Sequence, residues 1–582
     1  MELREKIRNF CIIAHIDHGK STLADRFLEL TGTVEKEKLQ PQYLDQLSVE
    51  RKHGVTVKMQ PVRLKFKDYI LNLIDTPGHS DFSYEVSRAL MAVDGCLLLV
   101  DVTQGIQAQT VYYFEEAKKL KKTIIPVINK IDLKKPEESL KIKLKEMTGI
   151  QPLTISAKTG EGVENLLEKL IEIVNPPEEF EEDLALIFDS HYQDYFGVVF
   201  HVRIFGGTFQ KGETIFLPHL NERLKITQVG YFTPQMKEAE KLSSGEIGYI
   251  VCNLKKTNPY LVGESITKNS QIKNIFEFKK PQNFIFASFF PAKESDFLKF
   301  KEVIEKICLN DPSLSYEEIY FKNFGRGFKI GFLGLFHLQI IKERIEEEFK
   351  TEIIITFPLI HYKAILKNGK EIYVSEDLPP ENEILKTQEP WVEVFLITPK
   401  EYQSSIFELI KQKRGLILEK NEIDKLEIRF EMPLEELITN FYDLVKSKSS
   451  GYASFWWVFK EYKDKKIGKL DILVNGTKIF SLIVSEEKAQ KIGEKIVEKL
   501  KELLSPESYP LKIQASYKNK IIASRTIPAL AKNPASWLYG GDRTRKMKLW
   551  KKQKEGQKKL QKLAKGKTKV SPEVLIKVFK EI

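Results

Sequence analysis

The sequence predicts a multidomain chain of α/β and β folds, and three observations predict it. Residues 1–180 alternate apolar strand-like runs with amphipathic helices, the pattern of a doubly wound sheet. Residues 184–280 hold short apolar runs between glycine turns (Gly206-Gly207, Lys211-Gly212, Gly245, Gly248, Gly263) with almost no helical period, which predicts a β-barrel. Residues 283–365 read strand, helix, strand, strand, helix, strand, and a similar order recurs at 388–482, so both segments are expected as ferredoxin-like α/β sandwiches. The last segment, 483–582, is left as a separate C-terminal domain with a basic tail.

In the first domain, Ile7–Ala14 is expected as a strand, Lys20–Leu30 as a helix, and 62–75 as two strands about a turn at Lys67-Asp68. A helix at 82–93, the buried strand 96–101, a helix at 108–120 and a strand at 124–129 follow. A helix near 137–147, a strand at 153–156 and a helix at 163–174 complete it, before Asn175-Pro176-Pro177 and an acidic run break the pattern. Farther on, helices are expected at 293–307, 335–349, 401–413, 434–445 and 486–504, with strands around 511–522.

Composition narrows the class. With 42% apolar and 30% charged residues the chain reads as an ordinary globular protein. No apolar stretch approaches the ~18 residues of a membrane span. The first strand begins within ten residues, which leaves no room for a targeting peptide. The four cysteines, Cys11, Cys96, Cys252 and Cys308, lack metal-site spacing and imply neither zinc nor a disulfide framework.

Five short segments carry chemistry in the first domain. Ala14-His15-Ile16-Asp17-His18-Gly19-Lys20-Ser21 joins a strand to a helix, so backbone amides from Asp17 to Thr22 would form an anion site. Lys20 is expected to reach the β- and γ-phosphate oxygens, and the Ser21 hydroxyl to ligate Mg²⁺. Ala14 stands where the general phosphate-loop pattern has glycine, and the strand–loop–helix context restores the lost specificity. Gly54-Val55-Thr56 and Asp75-Thr76-Pro77-Gly78-His79 read as γ-phosphate sensors. Thr56 would be a movable hydroxyl on the metal, Asp75 a water-bridged metal contact and Gly78 an amide donor.

Asn129-Lys130-Ile131-Asp132 and Ser156-Ala157-Lys158 fit a guanine. Asn129 and Asp132 supply an acceptor and a carboxylate to its edge, Lys130 lies across the ring, and amides near Ser156-Ala157 meet its carbonyl. Adenine would leave a buried Asp132 carboxylate without donors, so the reading is a P-loop GTPase domain taking GTP and Mg²⁺. His79 follows Gly78, where other GTPases place a glutamine that orients water, and is expected to be catalytic together with Lys20 and Thr56. Ile16 and Val55 are expected to gate that imidazole until a partner opens the way. His15, His18 and His53 read as loop histidines against solvent or backbone.

The net charge of +11 is confined to the tail: 541–570 carries 13 Lys and Arg against 2 Asp and Glu, and the rest of the chain balances to zero. A helix there would be cationic nearly all round, with a thin apolar stripe of Leu549, Leu560 and Leu563. Arg543, Arg545, Lys546, Lys548, Lys551 and Lys552 are the expected RNA phosphate contacts, which position rather than read sequence. The alternative is a solvated helix with no partner. Trp537 and Tyr539 read as buried aromatics, with stacking on an unpaired base as their other use.

The phosphate loop, the Asp-Thr-Pro-Gly-His turn and the barrel directly after them resemble the translational GTPases. Within that group the chain resembles the elongation factor 4 (LepA) family almost end to end. The resemblance rests on the segment from Gly327 to Leu338 (Gly-Phe-Lys-Ile-Gly-Phe-Leu-Gly-Leu-Phe-His-Leu), on Glu389-Pro390-Trp391-Val392, on Gly451-Tyr452-Ala453-Ser454, and on Tyr539-Gly540-Gly541-Asp542 before the basic tail. It implies a ribosome-dependent GTPase of bacterial translation, proposed to move tRNAs backward after faulty translocation or to assist initiation or small-subunit maturation. It also implies that sarcin–ricin RNA positions His79 and that the last domain reaches the tRNA acceptor arm. A cytoplasmic monomer without DNA as a partner is expected, the compartment from the lone cysteines and the lack of a targeting segment. The resemblance allows a monovalent cation near Asp17 and peripheral contact with the cytoplasmic face of the cell membrane.

The chain departs from the family pattern in its RNA-facing half. Ser450 replaces an arginine, Ser485-Glu486 a His-Arg pair, and Ser505-Pro506-Glu507-Ser508 a basic stretch. Ala531 and Trp537 replace two further basic residues, and Pro528 and Pro534 are gained. Two rival readings share the GTPase domain: an elongation factor G or BipA relative, and an RNA-binding assembly factor that uses GTP as a clamp. Only about 25 residues separate the two sandwich-like segments, too few for the inserted domain of the first rival, and intact Lys20, Thr56 and His79 speak against the second.

Overall fold

A computed structural model of the chain describes residues 3–579 except 194, 253, 255–260, 270, 273–274, 277–280, 322–323, 357–358, 376, 423–424, 531–542 and 565–569. The Tyr539-Gly540-Gly541-Asp542 segment, Trp537, Ala531 and Pro534 therefore lie outside the described residues.

The first domain is built on a six-stranded sheet in the order Gln60–Phe66, Tyr69–Asp75, Ile7–Ala14, Gly95–Asp101, Thr123–Asn129, Leu153–Thr154. All its pairings are parallel except that of Gln60–Phe66 with Tyr69–Asp75. Period-two alternation fills both faces. From the central strand, Phe10, Ile12 and Ala14 meet Leu23 and Phe27 of one helix and Leu166 and Leu170 of another. Cys11 and Ile13 point the other way, toward Val86, Leu90, Tyr113 and Phe114. The loops at the carboxyl ends of Ile7–Ala14, Tyr69–Asp75 and Thr123–Asn129 carry the motifs.

The barrel segment is an eight-stranded antiparallel sheet running from Glu222–Lys225 at one edge to Met236–Glu238 at the other, with a two-stranded ribbon of Thr208–Gln210 and Lys241–Ser243. Ile215 and Leu217 near one edge share a core with Val229 and Ile250 near the other and with Leu242 of the ribbon, as a curled sheet requires. It is joined to the first domain by charged groups. Arg88, fully buried, sits between Glu85 and Asp189, Arg203 meets Asp94 at 3.1 Å, and Arg63 meets Glu246 at 3.0 Å.

Both sandwiches have one strand order, second–third–first–fourth. In the first it is Ser315–Phe321, Gly325–Phe332, Ile285–Pro291, Ile353–Ile355, covered by helices Phe297–Asn310 and Leu335–Glu347. In the second it is Leu416–Glu422, Leu426–Pro433, Ile384–Thr398, Ser454–Asp464. The two are structural repeats. The helix expected at 434–445 is two helices, Leu434–Ile438 and Phe441–Lys448, parted where Asn440 takes φ 119°.

The strands Ile467–Val474 and Thr477–Ser485, read from sequence with the second sandwich, pair instead in the last sheet, whose order is 477–485, 467–474, 511–517, 520–527. The reason is packing: Leu470, Ile472 and Val474 alternate into one core with Ile496 and Leu500 of the helix Glu486–Leu503 and with Ile513 and Ala515. The basic segment forms the helix Arg543–Ala564. No described helix is long and apolar enough to cross a membrane.

Candidate active site

The phosphate loop leaves the buried central strand and turns into its helix through Asp17 at φ 63° and Gly19 at φ 92°. Gly19 is required twice over. Its backbone is left-handed, and a Cβ there would lie 2.4 Å from Asn129 Nδ2. Asn129 ties two motifs together: its Nδ2 donates to the His18 carbonyl at 2.9 Å and its Oδ1 accepts from the Ala157 amide at 2.9 Å. An amide nitrogen has a second hydrogen, which remains for a base edge. Lys130 Nζ donates to the Asp17 carbonyl at 2.6 Å and pairs with Asp101 at 2.8 Å. Asp132 Oδ1 accepts from Ser156 Oγ at 2.7 Å. The Lys158 carbonyl accepts from Arg26 at 2.9 Å.

Asp132 departs from expectation. It is exposed rather than buried, because it sits on the turn after the strand that ends at Asn129. His18 contacts backbone as expected: its ring turns into the core, fully buried, where Nδ1 accepts from the Asp101 amide at 3.2 Å. Burial lowers its pKa to about 3, so the ring is neutral and structural. His15 and His53 have side-chain partners instead of solvent or backbone: Gln109 for the first, and Glu343 at 2.9 Å for the second.

On the phosphate side, Lys20 Nζ donates to Thr56 Oγ1 at 2.8 Å and Asp75 Oδ1 at 2.7 Å. Ser21 Oγ lies 3.3 Å from Thr56 Oγ1, and the Thr56 hydroxyl donates to Asp45 Oδ1 at 2.7 Å. The structure thus brings Lys20, Ser21, Thr56 and Asp75 into one cluster. Asp45 was missed by sequence reasoning, since no motif marks the loop that delivers it. Asp45 and Asp75 are both fully buried, and each keeps one oxygen, Oδ2, without a partner. Burial pushes the Asp75 carboxyl above the ordinary carboxylate range, with Lys20 opposing the shift. Unpartnered buried carboxylate oxygens beside two hydroxyls are the hard donor set that Mg²⁺ takes, so these residues fit that ion. Of this cluster Lys20, Ser21 and Thr56 border a cleft of about 210 Å³, and Asp17, Gly19, Thr22 and Gly78 share its lining.

His79 does not line that cleft. It borders a separate chamber of about 1870 Å³ between the first domain, both sandwiches and the C-terminal domain, with Lys425, Lys446, Lys491 and Lys495 on its wall. His15, Ile16, Asp17 and Val55 border both spaces. His79 Nδ1 accepts from the Asp81 amide at 3.1 Å, and its ring packs on Phe336 of the first sandwich with centroids 4.4 Å apart. Burial lowers its pKa, with Asp81 opposing, so the imidazole is neutral at pH 7. Gln109, oriented so that its amide meets acceptors, donates to the Gly78 carbonyl at 3.0 Å and to His15, and accepts from the Ser80 amide at 3.2 Å. It pins the His79 turn to the phosphate loop.

The first sandwich contacts the segments that lead into Gly54-Val55-Thr56 and follow Gly78-His79 through the helix Leu335–Glu347. Lys52 of the short helix Ser48–His53 pairs with Glu343 and Glu347, each at 2.9 Å. Asp81 Oδ2 accepts from the His337 amide at 3.1 Å, placing a carboxylate at the start of that helix. A Cβ on Gly334 would lie 2.1 Å from the Asp81 carboxylate, so this junction closes only around glycine. Gly334→Ala should expel Asp81, weaken the junction by about 1–3 kcal/mol and speed amide exchange across 79–83 by roughly tenfold or more. Unchanged exchange there would mean that the junction does not rest on this contact.

The expected RNA contacts, Arg543, Arg545, Lys546, Lys548, Lys551 and Lys552, all lie on the helix Arg543–Ala564, remote in sequence from this site and mostly exposed. Leu560 and Leu563 are exposed too, at 46% and 70%, so the thin apolar stripe buries little.

Residues 5–176 match the family described as elongation factor Tu GTP binding domain. Residues 386–473 match the elongation factor G C-terminus, and 474–580 the GTP-binding protein LepA C-terminus. A protein of Chlamydia muridarum (strain MoPn / Nigg) named Elongation factor 4 is 42% identical over 596 residues, spanning 99% of each chain. One of the same name from Thermotoga maritima is 41% identical over 594 residues, spanning 99% of this chain and 95% of its own. A crystal structure of a Thermus thermophilus protein shares the fold, with a TM-score of 0.60 at 17% identity over 79% of this chain and 97% of that one.

Proposed function

The chain belongs to the elongation factor 4 family of translational GTPases, and on that premise we propose that it hydrolyses GTP, with Mg²⁺, in response to the ribosome. Lys20 would exchange Thr56 and Asp75 for phosphate oxygens, and Gly19, Ser21 and Thr22 would add amide donors at the helix start. Ser21, Thr56 and Asp75 would hold the metal, which supplies charge neutralisation to the β- and γ-phosphates. Asn129, Lys130 and Asp132, with the Ser156-Ala157-Lys158 loop, would hold the guanine, and Asp17 closes the phosphate cleft opposite.

One observation carries the ribosome-dependent reading. The neutral His79 faces a lysine-bordered chamber and not the phosphate cleft, with Ile16 and Val55 among the residues that border both spaces. A base so placed acts only after something outside moves it, and a chamber with four lysines on its wall suits an RNA backbone such as the sarcin–ricin loop. The exposed cationic helix Arg543–Ala564 supports a second phosphate contact, to ribosomal RNA or tRNA, by a monomer working in the cytoplasm.

The test is single-turnover GTP hydrolysis with and without intact ribosomes. Stimulation of about a hundredfold or more is expected. Equal rates would leave a GTP-dependent RNA clamp as the better reading.

A further inference from the structure

We propose that Phe336 of the first sandwich is a positioning residue for His79: it holds the imidazole in the chamber and releases it when that sandwich moves away from the first domain. The inference rests on the hydrolytic reading above.

His79 is held on two sides. Its Nδ1 is engaged by the Asp81 amide, and its ring packs between Phe336 at 4.4 Å and Phe82 at 6.1 Å, centroid to centroid. Phe336 is itself fixed, because it joins Val49, Val57, Phe82 and Ile340 in a small apolar cluster that spans the sandwich helix and the segments flanking Gly54-Val55-Thr56 and Gly78-His79. Polar contacts bind that helix to the same two segments, through Lys52 and His53 to Glu343 on one side and through Asp81 to its amino end on the other. The sandwich therefore cannot shift without moving Phe336 relative to His79.

Reaching the phosphate cleft obliges the imidazole to leave the aromatic face. An aromatic pair of this geometry biases a side-chain equilibrium by up to about a factor of ten. The tilted ring contact with Phe336 adds to the hydrogen bond from the Asp81 amide in holding the imidazole.

The experiment compares ribosome-free, single-turnover GTP hydrolysis by the full-length wild type, Phe336→Ala and Phe336→Leu. Both variants should raise the ribosome-free rate, about tenfold for alanine, while the GTP dissociation constant stays within about threefold. Leucine keeps the apolar contact with Val49 and Ile340 and loses the flat face, so it tests the idea even where alanine unfolds. The rise should vanish in the His79→Ala background, because the gain runs through the imidazole. An unchanged or lowered ribosome-free rate in Phe336→Leu overturns the proposal, and so does a rise that survives removal of His79. A wild type that ribosomes fail to stimulate speaks against the hydrolytic reading instead, which keeps the two failures apart.

Discussion

His79→Ala should lower ribosome-stimulated GTP hydrolysis by roughly a thousandfold while leaving GTP affinity within about twofold. A positioned acid–base group contributes about 10²–10⁴ to a rate, and His79 lies outside the cleft that would hold the phosphates, so binding has little to lose. The structure also sets the pH response. Burial keeps the neutral imidazole dominant below the ordinary histidine value of about 6.5. The wild-type rate profile should show an acid limb from protonation of the imidazole, and that limb should disappear in the variant. Stopped-flow measurement of phosphate release on ribosomes, from pH 5.5 to 8, checks both parts. A variant that retains a tenth of the wild-type rate would remove His79 from the chemistry.

Asp132→Asn should weaken GTP binding by about a thousandfold and admit xanthosine triphosphate in its place. The carboxylate would accept from two guanine donors, and hydrogen bonds to a charged group contribute about 1.5–3 kcal/mol each. An amide in the same place turns one acceptor into a donor, which clashes with guanine and matches the carbonyl that xanthine carries there. The substitution is gentle on the protein, because Asp132 is exposed and spends one oxygen on Ser156 Oγ, which an amide oxygen can replace. Calorimetric titration with each nucleotide tests this reading. Unaltered GTP affinity would mean that the base is recognised elsewhere.

The motif residues were legible because their work is local. A strand that ends in a loop of amides and restarts as a helix makes an anion site from consecutive residues, so 14–21 could be read as one unit. The core was legible too, since Phe10, Ile12 and Ala14 alternate with Cys11 and Ile13 by the period of a strand. Asp132 was misread as buried because a carboxylate that suits a base edge need not be covered before the base arrives. The strands at 467–485 were read with their neighbours in sequence, and pairing went instead to the strands that complete an apolar face around Ile496 and Leu500.

What the sequence determined by itself is the chemistry available: a lysine and hydroxyls for phosphate and metal, a carboxylate for a base, an imidazole beside the turn, and a cationic tail. Tertiary structure alone decided where that imidazole faces and what holds it. Asp45, Gln109, Asp81, Gly334 and Phe336 meet the site from separate places in the chain, and no periodicity links them. Contacts between domains depend on side chains brought within a few ångströms by folds that each close on their own core, and local patterning carries no record of that approach.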